Sequence, residues 1–232
     1  MSSRYDAVAD TYAAAGDNYE GSAVSALLEL VGPHPGPRAL DLGCGHGPVA
    51  RELARRGANV TAVDLSRELL ERARTAGSDS DPAIDYVHGD ASDAAILDGE
   101  SFNLIVSNFG LSDMDDLEAV CHTVARLLVV GGRFVFSILH PCFAGADRVS
   151  GSWPTGRRYY DEGFWLADGD LSTLRREVGA NHRMISTYIN VLVDSGLSIR
   201  KVREPPPELE WAEDRPGASD QPVYMVVETV RV

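Results

Sequence analysis

The run Arg38-Ala-Leu-Asp-Leu-Gly-Cys-Gly-His-Gly47 joins an apolar stretch to three alternating glycines and sets one carboxylate, Asp41, just ahead of them. Ala39, Leu40 and Leu42 suit a strand covered on both faces by helices. Glycines directly after such a strand remove the side chains that would keep a ligand off the backbone. Pro48 then suits the first turn of a helix, where its missing N–H costs nothing. Strand, glycine turn and helix together open a doubly wound α/β sheet, which binds ligands outside the carboxyl ends of its strands.

The spacing narrows the ligand. A dinucleotide fingerprint needs Gly-x-Gly-x-x-Gly, whereas Gly43, Gly45 and Gly47 bring the third glycine one place early. A phosphate loop needs Gly-Lys-Ser/Thr at its end, and the only lysine of the chain, Lys201, lies far downstream. Asp41 would repel a pyrophosphate in a partly buried crevice and attract an ammonium group. The next strand, Asn59-Val-Thr-Ala-Val-Asp64, ends in a second acid 21 residues after Gly43, the length of one strand, helix and strand. An acid there can accept hydrogen bonds from both ribose hydroxyls of an adenosine ligand. Ile84-Asp-Tyr-Val-His-Gly-Asp90 carries a third acid to the end of a third strand. Singly, Asp64 and Asp90 can cap the following helices and the glycines can form a plain turn. Their joint occurrence at successive strand ends points to one ligand site.

Through Asp41-Leu-Gly-Cys-Gly-His-Gly47, Val63-Asp64, Gly89-Asp90-Ala91, Phe102-Asn-Leu-Ile-Val-Ser-Asn108 and Gly131-Gly-Arg-Phe-Val-Phe136, the chain resembles the class I S-adenosylmethionine-dependent methyltransferases. Within them it is most similar to the small-molecule enzymes of the ubiquinone/menaquinone-biosynthesis type, methyltransferase type 11. The resemblance implies S-adenosyl-L-methionine as cofactor and S-adenosyl-L-homocysteine as product. It implies that Gly43 and Gly45 lie against the methionine part, that Asp41 reaches the amino group through water, and that Asp64 holds the ribose. Leu65 would touch adenine, Asp90 and Ala91 would read its edge, and Ser107 would complete the cofactor set. Tyr5 and Tyr12, in a Tyr-Asp-x-x-Ala-x-x-Tyr pattern, are similar to the family's N-terminal cover over the cofactor. The implied reaction is methyl transfer to oxygen, nitrogen or carbon of a small-molecule acceptor. Two other readings stay open: a non-catalytic S-adenosylmethionine-binding protein, and a nicotinamide-dependent oxidoreductase, which Asp64 suits but the glycine spacing does not.

Strands are expected over 38–43, 59–64, 83–88, 102–107, 132–139, 197–204 and 222–231, alternating with helices as a parallel sheet requires. The expected fold is α/β: a doubly wound, Rossmann-like, seven-stranded and mostly parallel sheet. The resemblance implies that the last strand inserts antiparallel. With 232 residues, one methyltransferase domain over 1–232 is expected, with an N-terminal helical cover over 1–37 and a lid insertion over 140–182. Leu117, Val120, Cys121, Val124, Leu127 and Leu128 share one helix face, begun by Asp115 or Asp116 and ended by Gly131. Ile185, Tyr188, Ile189, Leu192 and Val193 form a second such face, stopped by Gly196. The lid reads as too polar for a helix, and 205–220, opening on three prolines, as an extended surface connection.

A net charge of −14 gives no electrostatic reason to approach a phosphate backbone, so no nucleic-acid partner is expected. Cys44, Cys121 and Cys142 form no Cys-x-x-Cys pair, and His-Glu-x-x-His is absent, so neither a disulfide framework nor a metal site is indicated. The N-terminus lacks the apolar core of a signal peptide, and no apolar run reaches membrane-spanning length. A cytoplasmic protein with no membrane partner, monomeric or homodimeric, is expected. The scarcity of lysine, with abundant alanine, glycine and aspartate, suggests a high-GC bacterial genome and an acceptor among secondary metabolites.

Methyl transfer is an in-line displacement, so holding the acceptor's lone pair opposite the leaving sulfur can remove roughly 7–11 kcal/mol from the barrier. A base matters when the acceptor is a hydroxyl or a protonated amine. His140, ending the fifth strand, and His182, before the penultimate helix, are the candidates. A histidine in either place can instead bond backbone carbonyls. Trp153, Tyr159, Tyr160 and Trp165 are candidate walls of the acceptor pocket, able to exclude water and attract a cation. Arg183 suits an acceptor carboxylate or phosphate, or a surface ion pair.

Overall fold

The computed structural model describes residues 3–14, 21–76, 82–143, 157–168, 173–213 and 220–232. The chain enters through a 3₁₀ turn, Asp6–Val8, and two helices, α1 (Ala9–Ala14) and α2 (Ser22–Val31). Alternation begins with β1 (Arg38–Leu42), α3 (Pro48–Arg55), β2 (Asn59–Asp64), α4 (Arg67–Ala76), β3 (Ile84–His88) and β4 (Phe102–Asn108). After a 3₁₀ turn at Gly110–Ser112 come α5 (Leu117–Leu127) and β5 (Leu128–Leu139). Next, β6 (Gly163–Trp165), α6 (Thr173–Val178) and β7 (Ala180–His182) build a small hairpin unit. Then follow α7 (Ile185–Asp194), β8 (Leu197–Arg203), α8 (Leu209–Glu213) and β9 (Tyr224–Arg231).

Seven strands form one sheet in the order β3-β2-β1-β4-β5-β9-β8, with β9 antiparallel to both of its neighbours. The other pairings are parallel. The order reverses between β1 and β4, which makes the carboxyl ends of these strands the place for a ligand. Both faces of the sheet are covered. Leu40, Leu42, Ile105, Phe134 and Phe136 pack with α5 and α7 on one side, while Ala39, Leu104, Val106 and Val135 pack with α2 and α3 on the other. Successive residues of β4 and β5 therefore feed opposite layers, as the two-residue period of a strand dictates. Each fully buried side chain of this size contributes roughly 1.5–3 kcal/mol.

The expected sheet is present, with one displaced boundary. β5 begins at Leu128 rather than near 132, because the helix does not run on to Gly131: Leu128 already has extended dihedrals, φ −75° and ψ 142°. The early start is accommodated by a register shift between β4 and β5 at Phe102 and Leu104. Asp116 starts α5, its carboxylate accepting the Ala119 N–H at 2.9 Å. α7 stops as expected, with Gly196 at φ +77° donating its N–H to Val193 O at 3.0 Å. The expectation that the lid holds no helix is corrected by α6. It is held to the hairpin unit by its buried Val178 and by Arg175, whose carbonyl accepts the Ala167 N–H at 3.1 Å. Likewise α8 interrupts the extended connection expected over 205–220.

Candidate active site

The loop after β1 turns back onto β2, where the Gly43 and Cys44 N–H groups both donate to Val63 O, at 2.8 and 3.0 Å. Gly45 donates its N–H to Asp64 Oδ2 at 2.7 Å, and Ser66 donates to Oδ1 at 2.8 Å. Asp64 thereby fastens the glycine loop to the end of β2. A carboxylate has about four acceptor positions, so roughly two remain for a ligand's hydroxyls. Burial raises the Asp64 carboxyl, and its bonds from Ser66 and Gly45 pull it down again. Gly47, at φ +82°, stands at the start of α3, and a Cβ there would come within 2.7 Å of Tyr86 Oη. The third glycine thus serves close packing, which accounts for its early place in the loop.

Asp41 is only 1 % exposed, and its Oδ2 has no hydrogen-bond partner among the described residues. Burial pushes its carboxyl up to about 7, opposed by the Ala50 N–H, reinforced by Asp64 and opposed again by Arg51. Ser107 Oγ, enclosed beneath Gly110, is likewise without a partner. Buried polar atoms left unsatisfied cost about 1–3 kcal/mol each. A polar, cationic group seated at this strand end would relieve both, so the residues present fit the amino-acid end of S-adenosylmethionine. Asp90 Oδ1 accepts from the Ser92 N–H and hydroxyl at 2.8 and 2.7 Å, organising the turn after β3. Ala91 is buried with Leu42 and Val63, and Leu65 is half-buried, its carbonyl 3.1 Å from His88 Nε2.

The N-terminal segment lies across this loop. A Cβ on Gly45 would meet the Tyr12 ring at 3.4 Å, and Tyr12 packs edge-on against His46 and Tyr5. Tyr5 donates its hydroxyl to Asp113 Oδ2 at 2.8 Å, and Ser66 donates its hydroxyl to Asp6 Oδ1 at 2.7 Å. Burial raises the Tyr5 phenol and pushes Tyr12 up to about 12, so both stay neutral.

On the other side of the Gly110–Ser112 turn, His140, His182, Arg183 and Trp165 gather with Ser112 and Tyr188 around a cavity of about 10 Å³, the room of one water. His140, 2 % exposed, accepts the Cys142 N–H on Nδ1 at 3.1 Å. Its Nε2–H donates to Glu204 Oε1 at 2.8 Å. Those partners fix the tautomer, since a backbone N–H can only donate and a carboxylate only accept. Burial lowers its pKa against the pull of Glu204, which keeps the ring neutral near pH 7. His182 donates Nε2–H to Tyr159 O at 2.7 Å and is also held low by burial. Arg183 is only 9 % exposed and spends its donors on backbone carbonyls: it donates to Leu111 O, Met114 O and Asp115 O at 2.9, 2.6 and 3.0 Å. Tyr159 Oη accepts the Ile185 N–H at 3.1 Å at the start of α7, while Tyr160 is 79 % exposed and reaches the site only through its edge contact with Tyr159. Trp153 lies outside the described residues.

Asp113, Arg175 and Glu204 escaped the sequence reading. Asp113 sits in the acidic run Asp113-Met-Asp-Asp116, which reads as a helix start, and Glu204 is hidden beside three prolines. Only their partners in space mark them. Among the described residues no group of three or more His, Cys, Asp or Glu is placed to hold a metal ion, and no helix is long and apolar enough to cross a membrane.

Residues 40–136 match the methyltransferase-domain family of type 11. The ubiquinone biosynthesis O-methyltransferase of Xanthomonas oryzae pv. oryzae is 34% identical over a 162-residue alignment that covers 64% of this chain and 66% of that protein, just under two thirds of its length. The solved S-adenosylmethionine-dependent methyltransferase of Mesorhizobium loti is 32% identical, with 90% of this chain and 98% of that one covered and a TM-score of 0.72. A Listeria monocytogenes structure assigned to the same class is 27% identical, with 84% and 91% covered and a TM-score of 0.68. The chain belongs to the class I S-adenosylmethionine-dependent methyltransferases.

Proposed function

We propose that this protein methylates a hydroxyl oxygen of a small-molecule acceptor, a bacterial secondary metabolite by composition. The observation that carries the reading is the convergence of two neutral histidines and an indole on one cavity, which the Gly110–Ser112 turn separates from the glycine loop. The name of the Xanthomonas relative, an O-methyltransferase, supports oxygen over nitrogen or carbon. Family membership leaves the nicotinamide and non-catalytic readings without support.

When bound, S-adenosyl-L-methionine supplies a methyl group already activated on a sulfonium. Asp41 and Ser107 would hold its amino-acid end, Asp64 its ribose, and Leu65, Asp90 and Ala91 its adenine, under the cover of Tyr5 and Tyr12. The remaining work of the chain is to orient the acceptor and remove a proton. An acceptor hydroxyl replaces the Cys142 N–H as donor to His140 Nδ1 and passes its proton there, while Glu204 stabilises the resulting imidazolium through Nε2–H. His182, Tyr159 and Trp165 wall the pocket and exclude water. Because the cavity holds one water, the β6–β7 hairpin must shift to admit the acceptor.

Incubation with methyl-labelled S-adenosylmethionine and a panel of phenolic, catecholic, aliphatic-hydroxyl and amine acceptors tests the reading. Label appearing as a methyl ether is expected. Label confined to nitrogen or carbon, or transferred to no acceptor, refutes it.

A further inference from the structure

We propose that Asp113 is a positioning residue that closes the cofactor cover and the acceptor lid as one unit, its carboxylate holding Tyr5 on one side and Arg175 on the other. The inference rests on reading the glycine-loop crevice as the cofactor site. Asp113 follows a turn packed directly on that loop: a Cβ on Gly43 would meet Met114 Cε at 3.0 Å and Gly110 Cα at 3.5 Å. The turn is launched by Phe109, a non-glycine residue in the left-handed region at φ +60°, whose N–H donates to Ser137 O at 3.0 Å. Backbone in that region persists where its surroundings over-determine it, a pattern common at ligand clamps.

From this fixed position, Asp113 Oδ2 accepts the Tyr5 hydroxyl at 2.8 Å and Oδ1 accepts Arg175 Nη1. Arg175 Nη1 also donates to Gly179 O at 2.7 Å and lies 3.4 Å from Tyr5 Oη. A second bridge runs beside the first. Arg4 donates to Asp113 O at 2.6 Å and to Asp115 Oδ1 at 3.1 Å, and Asn181 donates to the same Asp115 oxygen at 2.9 Å. The Arg4 guanidinium also stands 4.9 Å from the centre of the Phe164 ring. Arg4 and Tyr5 lead into α1, which carries Tyr12 over Gly45. Arg175, Asn181 and Phe164 belong to α6, β7 and β6, the unit that walls the acceptor cavity.

The side chains of Arg175 and Asp113 are only 12 and 20 % exposed, so stranding either one as an unpaired buried charge is strongly unfavourable. Withdrawing the lid strands Asp113, and withdrawing the cover removes the hydroxyl that shares its charge. Each closed element therefore favours closure of the other. By reciprocity, a closed lid raises cofactor affinity by the same factor as bound cofactor raises the lid's closure equilibrium, roughly 5–150-fold for couplings of this kind.

Calorimetry and hydrogen exchange with S-adenosylhomocysteine as the probe test this on the whole chain. In wild type the probe should slow exchange in the loop 43–47, in α1 and, without touching them, in α6 and β7. Arg175→Met, a change on the lid, should weaken the probe by at least about fivefold. Tyr5→Phe combined with Arg4→Met, which cuts both bridges from the cover and leaves the Asp113–Arg175 ion pair intact, should abolish the slowing in α6 and β7. An Arg175 that only braces the lid would leave probe affinity untouched, and that result, or slowing in α6 and β7 retained in the Arg4→Met, Tyr5→Phe double variant, overturns the proposal. Failure of the probe to slow the loop 43–47 in wild type overturns the cofactor reading itself, and the coupling with it.

Discussion

Replacing Asp41 with asparagine removes a buried charge while keeping the shape of the side chain and an oxygen for the Ala50 N–H. Burial moves the Asp41 carboxyl from its ordinary 3.8 up to about 7. Between those values the folded chain keeps a proton that the unfolded chain has released, so stability falls as pH rises through the window and levels off above it. The shift corresponds to about 4 kcal/mol in all, of which roughly 2.5 falls between pH 5 and pH 8. Urea unfolding of wild type and Asp41→Asn at both pH values, without ligand, isolates this term, because titrating groups not coupled to Asp41 cancel in the comparison. The variant should gain stability over wild type by that amount on going to pH 8. Parallel pH profiles would refute the buried-carboxyl argument. In the proposed site the same proton would compete with the cofactor. If the cation binds only ionised Asp41, wild-type affinity for S-adenosylmethionine should tighten by about 20-fold from pH 5.5 to 7.5, and the variant should show weak, flat binding.

Asp64→Ala should weaken S-adenosylhomocysteine by about 1.5–3 kcal/mol, through loss of charge-assisted bonds to a ribose and of the anchor for Gly45; an unchanged calorimetric affinity removes Asp64 from the site. His140→Ala should slow methyl transfer to a hydroxyl acceptor by about 10²–10⁴-fold with cofactor affinity nearly intact, and a full rate eliminates it as the base. Glu204→Gln should lower the pKa at which the rate falls on the acid side, since the carboxylate that favours the imidazolium is gone; an unmoved pH–rate profile contradicts the pairing. Gly47→Ala should destabilise the fold by about 1–3 kcal/mol, because its Cβ would come within 2.7 Å of Tyr86 Oη. Denaturant unfolding reads this, and a neutral effect dismisses the packing account of the third glycine.

The parts of this molecule governed by local chemistry were readable in advance. Alternating apolar residues, acids at strand ends and a helix face repeating every three or four residues located the sheet, the glycine loop and α5. What escaped depends on distant partners. Nothing near Arg183 in the chain shows that the carbonyls of Leu111, Met114 and Asp115 consume its donors, so its suitability for an anion could be read but not its use. His140 was singled out by its place at a strand end, whereas Glu204, which sets its tautomer, lies 64 residues away. The short helix α6 has too few apolar residues to announce itself. It is pinned by Arg175, whose carbonyl accepts the Ala167 N–H at 3.1 Å and whose guanidinium meets Asp113.

A crystal structure of the protein with S-adenosylhomocysteine is the most direct measurement of the central claim. The nucleoside is predicted between the ends of β1, β2 and β3, its amino group toward Asp41 and its ribose hydroxyls on Asp64, with Tyr12 closed over it. Density for the ligand elsewhere, with the glycine loop bare and Asp41 Oδ2 still without a partner, would contradict the account.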